Sequence, residues 1–219
     1  FEKRLAYTSL AGLLSNEFLA SKKCIVVTGT HGKTTTTSLL AWILEKAGLN
    51  PGFFIGGIPG NFGKGARFTD SEYFVLEGDE YDTAFFDKRS KFIHYKPDIA
   101  IINNLEFDHA DIFENLDAVK RTFRHFINLI PRNGLLLANG DDQNVRSITN
   151  IEFCPVRYFG ISDSNEYTLT PAQESTSNTS FDLGGSYFSV PLVGEFNMRN
   201  ASAAILAARQ CGVKDTEIQ

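Results

Sequence analysis

The sequence predicts an α/β fold, a mostly parallel sheet flanked by helices, with a small antiparallel β subregion near residues 151–195. Three observations carry that expectation. Short apolar runs alternate with segments of helical periodicity through residue 140, the pattern of a parallel sheet covered on both faces. The run CIVVTG (24–29) ends in a glycine turn and leads directly into a helix-like stretch. After about residue 150 the texture changes to short runs of β-formers separated by Ser, Asn, Asp and a Gly184-Gly185 hairpin signal.

Taken in order, residues 4–20 place Leu5, Leu10, Leu13, Leu14 and Phe18 near helical spacing, predicting a short amphipathic helix before the first strand. CIVVTG reads as a buried strand, and KTTTTSLLAWILEKAG (33–48) as a helix closed by Gly48 with Pro51 beyond it. Further strands are predicted at YFVLE (73–77), IAIINN (99–104) and GLLLANG (134–140), with a helix at NLDAVKRTFRHFINLI (115–130). VRYFG, EYTLTP, TSFDL and SYFSVPLVG supply the antiparallel subregion, and NMRNASAAILAARQCG (197–212) restores a helix that Gly212 ends.

Composition narrows the function. The 219 residues, 42% of them hydrophobic, suffice for a full core, and a formal charge of -5 argues against nucleic acid or an anionic membrane as the main partner. Three cysteines, widely spaced and without a C-x-x-C pair, indicate neither a disulfide framework nor a zinc site, so a cytoplasmic setting is expected. No apolar run approaches the roughly 20 residues of a membrane span.

Three polar clusters carry the chemistry. In TGTHGKTTTT (28–37), Gly29 and Gly32 let backbone N–H groups approach an anion, Lys33 suits β and γ phosphates, and the Thr34 hydroxyl suits Mg²⁺. Only Thr30 and His31 separate Gly29 from the Gly32-Lys33 pair, so this is a shortened P-loop; the competing reading is a glycine-rich turn with a solvated lysine. In LEGDEYDTAFFDKRSKF (76–92), Glu77 follows a strand at the edge where parallel sheets gather ligands, a place for a metal-binding carboxylate. Asp79, Glu80 and Asp82 crowd the same loop and need a counter-charge, for which Lys88, Arg89 and Lys91 are candidates; a solvated charged loop is the alternative. In NNLEFDHADIF (103–113), His109 follows another strand, and Asp108 beside it would fix the tautomer of a metal-ligating imidazole.

These motifs, with GEFNMRN (194–200), occur in the order and at the spacing of the Mur ligases of peptidoglycan synthesis, which the chain resembles from about residue 22 onward. The resemblance implies a P-loop-type central ATP-binding domain over 22–219, preceded at 1–21 by a linker helix from a UDP-sugar-binding domain and followed by a carboxy-terminal domain, neither of which the chain contains. It implies ATP and Mg²⁺ as cofactors, and binding of nucleotide by Gly29, Thr30, His31, Gly32, Lys33, Thr34, Thr35, Asn104, Asn197 and Asn200. Thr34, Glu77 and His109 would hold metal, and Lys33, Glu77 and His109 would be catalytic.

GGIPGNFGKGARF and the FFDKRSKF run resemble the branch that joins the tripeptide L-alanyl-γ-D-glutamyl-meso-diaminopimelate to UDP-N-acetylmuramate in murein recycling. The branch that adds L-alanine shares GTHGKTTT but usually has serine at the position of Tyr81. Phe196 stands where the family often has histidine, and no lysine here matches the family's carbamoylated one, Lys120 and Arg124 being the nearby basic residues. A guanine-nucleotide switch lacks its N-K-x-D motif. The last alternative is a nucleotide-binding module without turnover of its own, which is the behaviour expected of this chain apart from the other two domains.

Overall fold

The structure, a computed structural model, describes residues 7–108, 112–174 and 176–219. In chain order its elements are α1 (Leu10–Leu14) continuing into a π-helical turn (Ser15–Leu19), β1 (Lys23–Thr28), α2 (Lys33–Lys46), β2 (Gly52–Phe54), β3 (Ala66–Arg67), β4 (Tyr73–Glu77), β5 (Asp82–Ala84), β6 (Asp87–Ser90), a 3₁₀ turn (Lys91–His94) and β7 (Ile99–Ile102). There follow α3 (Leu116–Ile127), β8 (Leu135–Asn139), α4 (Gln143–Ile148), β9 (Val156–Gly160), β10 (Tyr167–Glu174), β11 (Thr179–Leu183), β12 (Ser186–Val190), α5 (Glu195–Gln210) and α6 (Asp215–Ile218).

Ten strands form one sheet in the order β12-β11-β10-β9-β8-β7-β1-β4-β2-β3, and β5 and β6 form a separate hairpin. From β2 to β10 every pairing in that order is parallel. The sheet turns antiparallel only at β10–β11 and β11–β12, and at the short β3 edge. The antiparallel subregion is therefore an extension of the main sheet, and VRYFG, predicted to be part of it, is instead the parallel strand β9. A run of β-formers reports burial, not strand direction.

The central strands are buried on both faces, as their near-continuous apolar sequence requires. Along β1, Ile25 and Val27 join Leu40, Ala41 and Leu44 of α2 and the alanines of α5 in one core. Cys24 and Val26 face a second core with Val119, Phe123 and Phe126 of α3 and Val145 of α4. α5 is buried from Asn200 to Ala208, and its small side chains let it pack closely against both α2 and the sheet. The Asn115 side chain accepts from Ala118 N and caps α3, as the sequence around NLDAVK implies.

The amino-terminal helix departs from expectation. Residues 4–6 of the predicted segment lie outside the described residues, helix begins at Leu10 behind the Ser9 cap, and Ala11, Leu14 and Leu19 are its buried residues. Leu10, Leu13 and Phe18 are exposed, with Phe18 stacked on Phe68 at 4.4 Å. Helical spacing located the segment but not the face it buries.

Candidate active site

β1 lies between β7 and β4, so the loops leaving the carboxyl ends of these three strands meet at one edge. The chain has built outward from β1 to both sides, and this is the switch point where open α/β sheets form a crevice. The loop after β1 is TGTHGK, that after β4 begins at Glu77, and that after β7 begins NNLEFD.

Two glycines shape the first loop. Gly29 has φ +134°, and a Cβ there would stand 3.1 Å from the backbone N and O of Asn104. Gly32, at φ +81°, caps α2 in the left-handed region, and a Cβ there would collide with the Asn200 amide. With no side chain capping α2, the N–H groups of its first turn have no intrahelical partner, leaving a positive, donor-rich end. Asn104 fixes the loop in place: its Oδ1 accepts from His31 N (2.8 Å), its Nδ2 donates to His31 O (3.1 Å), and its backbone O accepts from Thr30 N (3.2 Å). The side chain of Asn104 thus holds the cradle's backbone. Thr30 donates to Glu106 O and accepts from Glu106 N, a second tie between the two loops.

Lys33 is not solvated. Its Nζ donates to Gly29 O (2.8 Å) and Thr30 O (3.3 Å), and to both carboxylate oxygens of Glu80 (3.2 and 2.9 Å). The lysine side chain is 11% exposed and the glutamate side chain 3%. Beside it, Thr34 Oγ1 donates to Glu77 at 2.9–3.0 Å, and Glu77 Oε2 accepts from Gly56 N (2.8 Å). Glu77 is therefore anchored at a register shared by β4, α2 and the loop after β2. Thr35 is half-buried on the first turn of α2.

The acidic loop divides its charges among separate partners. Lys91 pairs with Asp79 (2.7 Å) and Lys88 with Asp82 (2.8 Å), as the local sequence suggests. Arg89 does not serve this cluster: it pairs with Asp87 (2.8 Å), whose carboxyl Arg89 first and then His94 hold well below the usual carboxylate range. The counter-charge for Glu80 is Lys33.

Behind the loop, Thr36, Asn103 and Asn200 form a buried polar network. Asn103 Nδ2 donates to Thr36 Oγ1 (2.9 Å) and Asn200 Oδ1 (3.3 Å), while Asn103 Oδ1 is buried without a hydrogen-bond partner. A buried carbonyl oxygen left unpaired is costly unless something supplies a donor. Asn103 also lines a cavity of about 250 Å³, whose wall carries Asn104, Asn139, Phe196, Arg199 and Asn200 together with the carboxylates of Glu106, Asp141 and Asp142. Asn197 sits outside this lining, donating to Val193 O and accepting from Asn200 Nδ2. Arg199 is held by Asp141 (3.0 Å). Burial pushes the Asp141 carboxyl up, but the N–H groups of Ile161 and Ser162, together with Arg199 and Asn165, outweigh it, and the net shift is downward.

The donor chemistry fits a nucleoside triphosphate with Mg²⁺. The two-glycine cradle and Lys33 suit phosphate oxygens, and the hard oxygens of Thr34 and Glu77 suit an ion that takes one or two protein ligands and fills its octahedron with water and phosphate. Among the described residues no three His, Cys, Asp or Glu side chains form a ready metal cage. His109, the third expected ligand, lies outside the described residues. Sequence reasoning passed over Asn103, Gly56 and the role of Glu80; the doubled Asn103-Asn104 and the glycines at 56 and 57 were the available signals.

Comparison with known proteins agrees with this geometry. The family model described as "Mur ligase middle domain" matches residues 27–208. The UDP-N-acetylmuramate–L-alanyl-gamma-D-glutamyl-meso-2,6-diaminoheptandioate ligase of Haemophilus influenzae is 45% identical over 214 residues, covering 97% of this chain and 47% of its own length. A UDP-N-acetylmuramate–L-alanine ligase of Clostridium botulinum is 33% identical over 222 residues, covering 99% of this chain and 47% of its own. Among solved structures, the UDP-N-acetylmuramate:L-alanyl-gamma-D-glutamyl-meso-diaminopimelate ligase from Neisseria meningitides superposes with a TM-score of 0.89 at 42% identity, over 99% of this chain and 70% of that one. The chain spans about half the length of the curated relatives it matches. A glycine cradle, a threonine–glutamate pair and an asparagine network on one sheet edge thus occur in a chain that belongs to the Mur ligase family.

Proposed function

We propose that this chain is the ATP-binding part of a ligase that joins L-alanyl-γ-D-glutamyl-meso-diaminopimelate to UDP-N-acetylmuramate, with residues 1–21 linking it to a sugar-nucleotide-binding domain. The observation that carries the reading is the convergence of Lys33, the Thr34–Glu77 pair and the Asn104-clamped loop at the carboxyl edge of β7, β1 and β4. The peptide-adding relatives support the choice of substrate, standing at 45% and 42% identity against 33% for the L-alanine-adding one.

ATP bound at the cradle would supply the γ-phosphoryl group that activates the lactyl carboxylate of the sugar nucleotide for attack by the peptide amine. The chain's own part is electrostatic. Two anions must approach one another, so Lys33 and the end of α2 must offset charge on the phosphates. Thr34 and Glu77 would hold Mg²⁺, with His109 as a further ligand. Gly32 and Thr35, at the start of α2, would present backbone and hydroxyl donors, while Gly29, Thr30 and His31 shape the loop that Asn104 keeps in register. Asn200, with Asn197 supporting it, would lie near the adenine, and Phe196 offers an apolar face. Such a reaction belongs in the cytoplasm, and the three cysteines are free thiols. Among the described residues no helix is long and apolar enough to cross a membrane.

The test is phosphate release from ATP by the longer protein that contains this chain. Release that requires both UDP-N-acetylmuramate and the tripeptide, and yields the joined product by mass, is the expected result. Release supported by L-alanine in place of the tripeptide would move the assignment to the other branch.

A further inference from the structure

The Lys33–Glu80 pair has a consequence for nucleotide binding that the phosphate cradle alone does not explain. Lys33 Nζ makes four contacts, two to loop carbonyls and two to the Glu80 carboxylate at 2.9 and 3.2 Å. An ammonium has three protons, so its donor capacity is fully committed within the protein. A phosphate oxygen drawn to Lys33 must therefore share or replace one of these acceptors. The carbonyls of Gly29 and Thr30 are fixed by the loop's own geometry, whereas the carboxylate carries a full negative charge that repels phosphate at close range. In a site where the glutamate is 3% exposed, water screens little of that repulsion.

We propose that Glu80 is a positioning residue that competes with the terminal phosphates for Lys33, weakening nucleotide binding so that the diphosphate product is released. The proposal rests on the ATP-binding reading above. The geometry around Glu80 favours it. The Glu80 backbone is held independently of its carboxylate, with Ser90 Oγ donating to Glu80 O at 2.6 Å. Glu80 also lines a second cavity, of about 670 Å³, whose wall carries Lys88, Arg89, Arg121 and His125. Asp82 lies on the same wall, and Lys88 and Arg89 there are paired with Asp82 and Asp87. Glu80 thus takes, at Lys33, the place of the charge that nucleotide brings.

The test is calorimetric titration with Mg²⁺·ADP, with a non-hydrolysable ATP analogue and with adenosine, on the wild type, Glu80→Gln and Glu80→Asp, each verified by a cooperative thermal melt. Gln keeps the shape and removes the charge, so ADP and the analogue should bind about tenfold more tightly, equivalent to about 1.4 kcal/mol. Asp keeps the charge on a shorter arm and should give a smaller gain in the same direction, which carries the test if the Gln variant fails to fold. Adenosine, which has no phosphate, should gain nothing. Unchanged or weaker phosphate-nucleotide binding in the variants overturns the proposal, as does an equal gain for adenosine, which would indicate general loosening of the site. Wild type and variants all failing to bind any nucleotide would overturn the ATP-binding reading itself. Wild type binding normally, with no gain in either variant, would overturn only the competition.

Discussion

The centre and the antiparallel end of the ten-stranded sheet are built from similar β-forming residues and do different work. At the centre, β4, β1 and β7 are buried on both faces, and everything polar is deferred to the loops at their carboxyl ends, where Lys33, Glu80, Glu77, Thr34 and Asn104 bond to one another across three loops. In the antiparallel extension, β11 carries Phe181 and Leu183 into the core with α5, while its partner β12 alternates buried Phe188 with exposed Tyr187 and Ser189. Its polar contacts are local, such as Ser180 to Ser189 across one ladder. The centre couples distant residues around a charged site, and the extension covers hydrophobic surface. Substitutions at the first should therefore move stability and nucleotide affinity together, and at the second stability alone.

The largest effect expected on that contrast comes from Lys33→Met. It breaks the buried pair with Glu80, which should cost about 3–5 kcal/mol of stability, and it removes the contact proposed for phosphate. Adding Glu80→Gln to that variant should restore most of the stability without restoring nucleotide binding, as read by paired thermal melts and titrations. In the extension, Phe181→Ala should cost a similar 3–5 kcal/mol through the cavity it leaves, with nucleotide affinity unchanged in the folded fraction. A tenfold loss of affinity there would break the separation of roles.

Asp141→Asn sits between the two regions, since Asp141 joins Arg199 beside the cavity at Asn103 and Asn200 to the turn after β9. It should cost about 1–3 kcal/mol at neutral pH. Because the folded state holds this carboxyl below its ordinary value, the stability it contributes is present above the unfolded pKa and is lost as pH falls through the folded one. The gap between wild type and variant should therefore narrow below about pH 4, the range in which an unfolded Asp titrates. Denaturant melts at pH 7 and pH 3 check this. The smallest effect belongs to Arg157→Ala, which breaks an exposed pair with Glu166 and should change stability by less than about 1 kcal/mol, falling further with added salt.

What the sequence disclosed follows from the range of each signal. The strand, loop and helix over 24–46 were legible because apolar run, glycines and helix start are contiguous, and the strands at 73–77 and 99–102 because each is bounded by turn residues. The pairing of Lys33 with Glu80 joins residues 47 apart, and the acidic loop offered three nearer cations that explained its charge just as well. Asn104 was legible as a site residue, but its bidentate hold on the His31 peptide depends on the depth of Gly29 against β7. The leucine spacing at 10–18 misled because a helical stripe records amphipathicity without recording what covers it.

If residues 29–34 cradle the phosphates of ATP, removing the Lys33 ammonium must weaken nucleotide binding. The direct measurement is calorimetric titration of the protein with a non-hydrolysable ATP analogue and Mg²⁺, beside Lys33→Ala, with both shown to be folded. The wild type should bind saturably and the variant at least about tenfold more weakly, the scale of one lost charge-assisted contact. Equal binding by the folded variant, or none by the folded wild type, would contradict it.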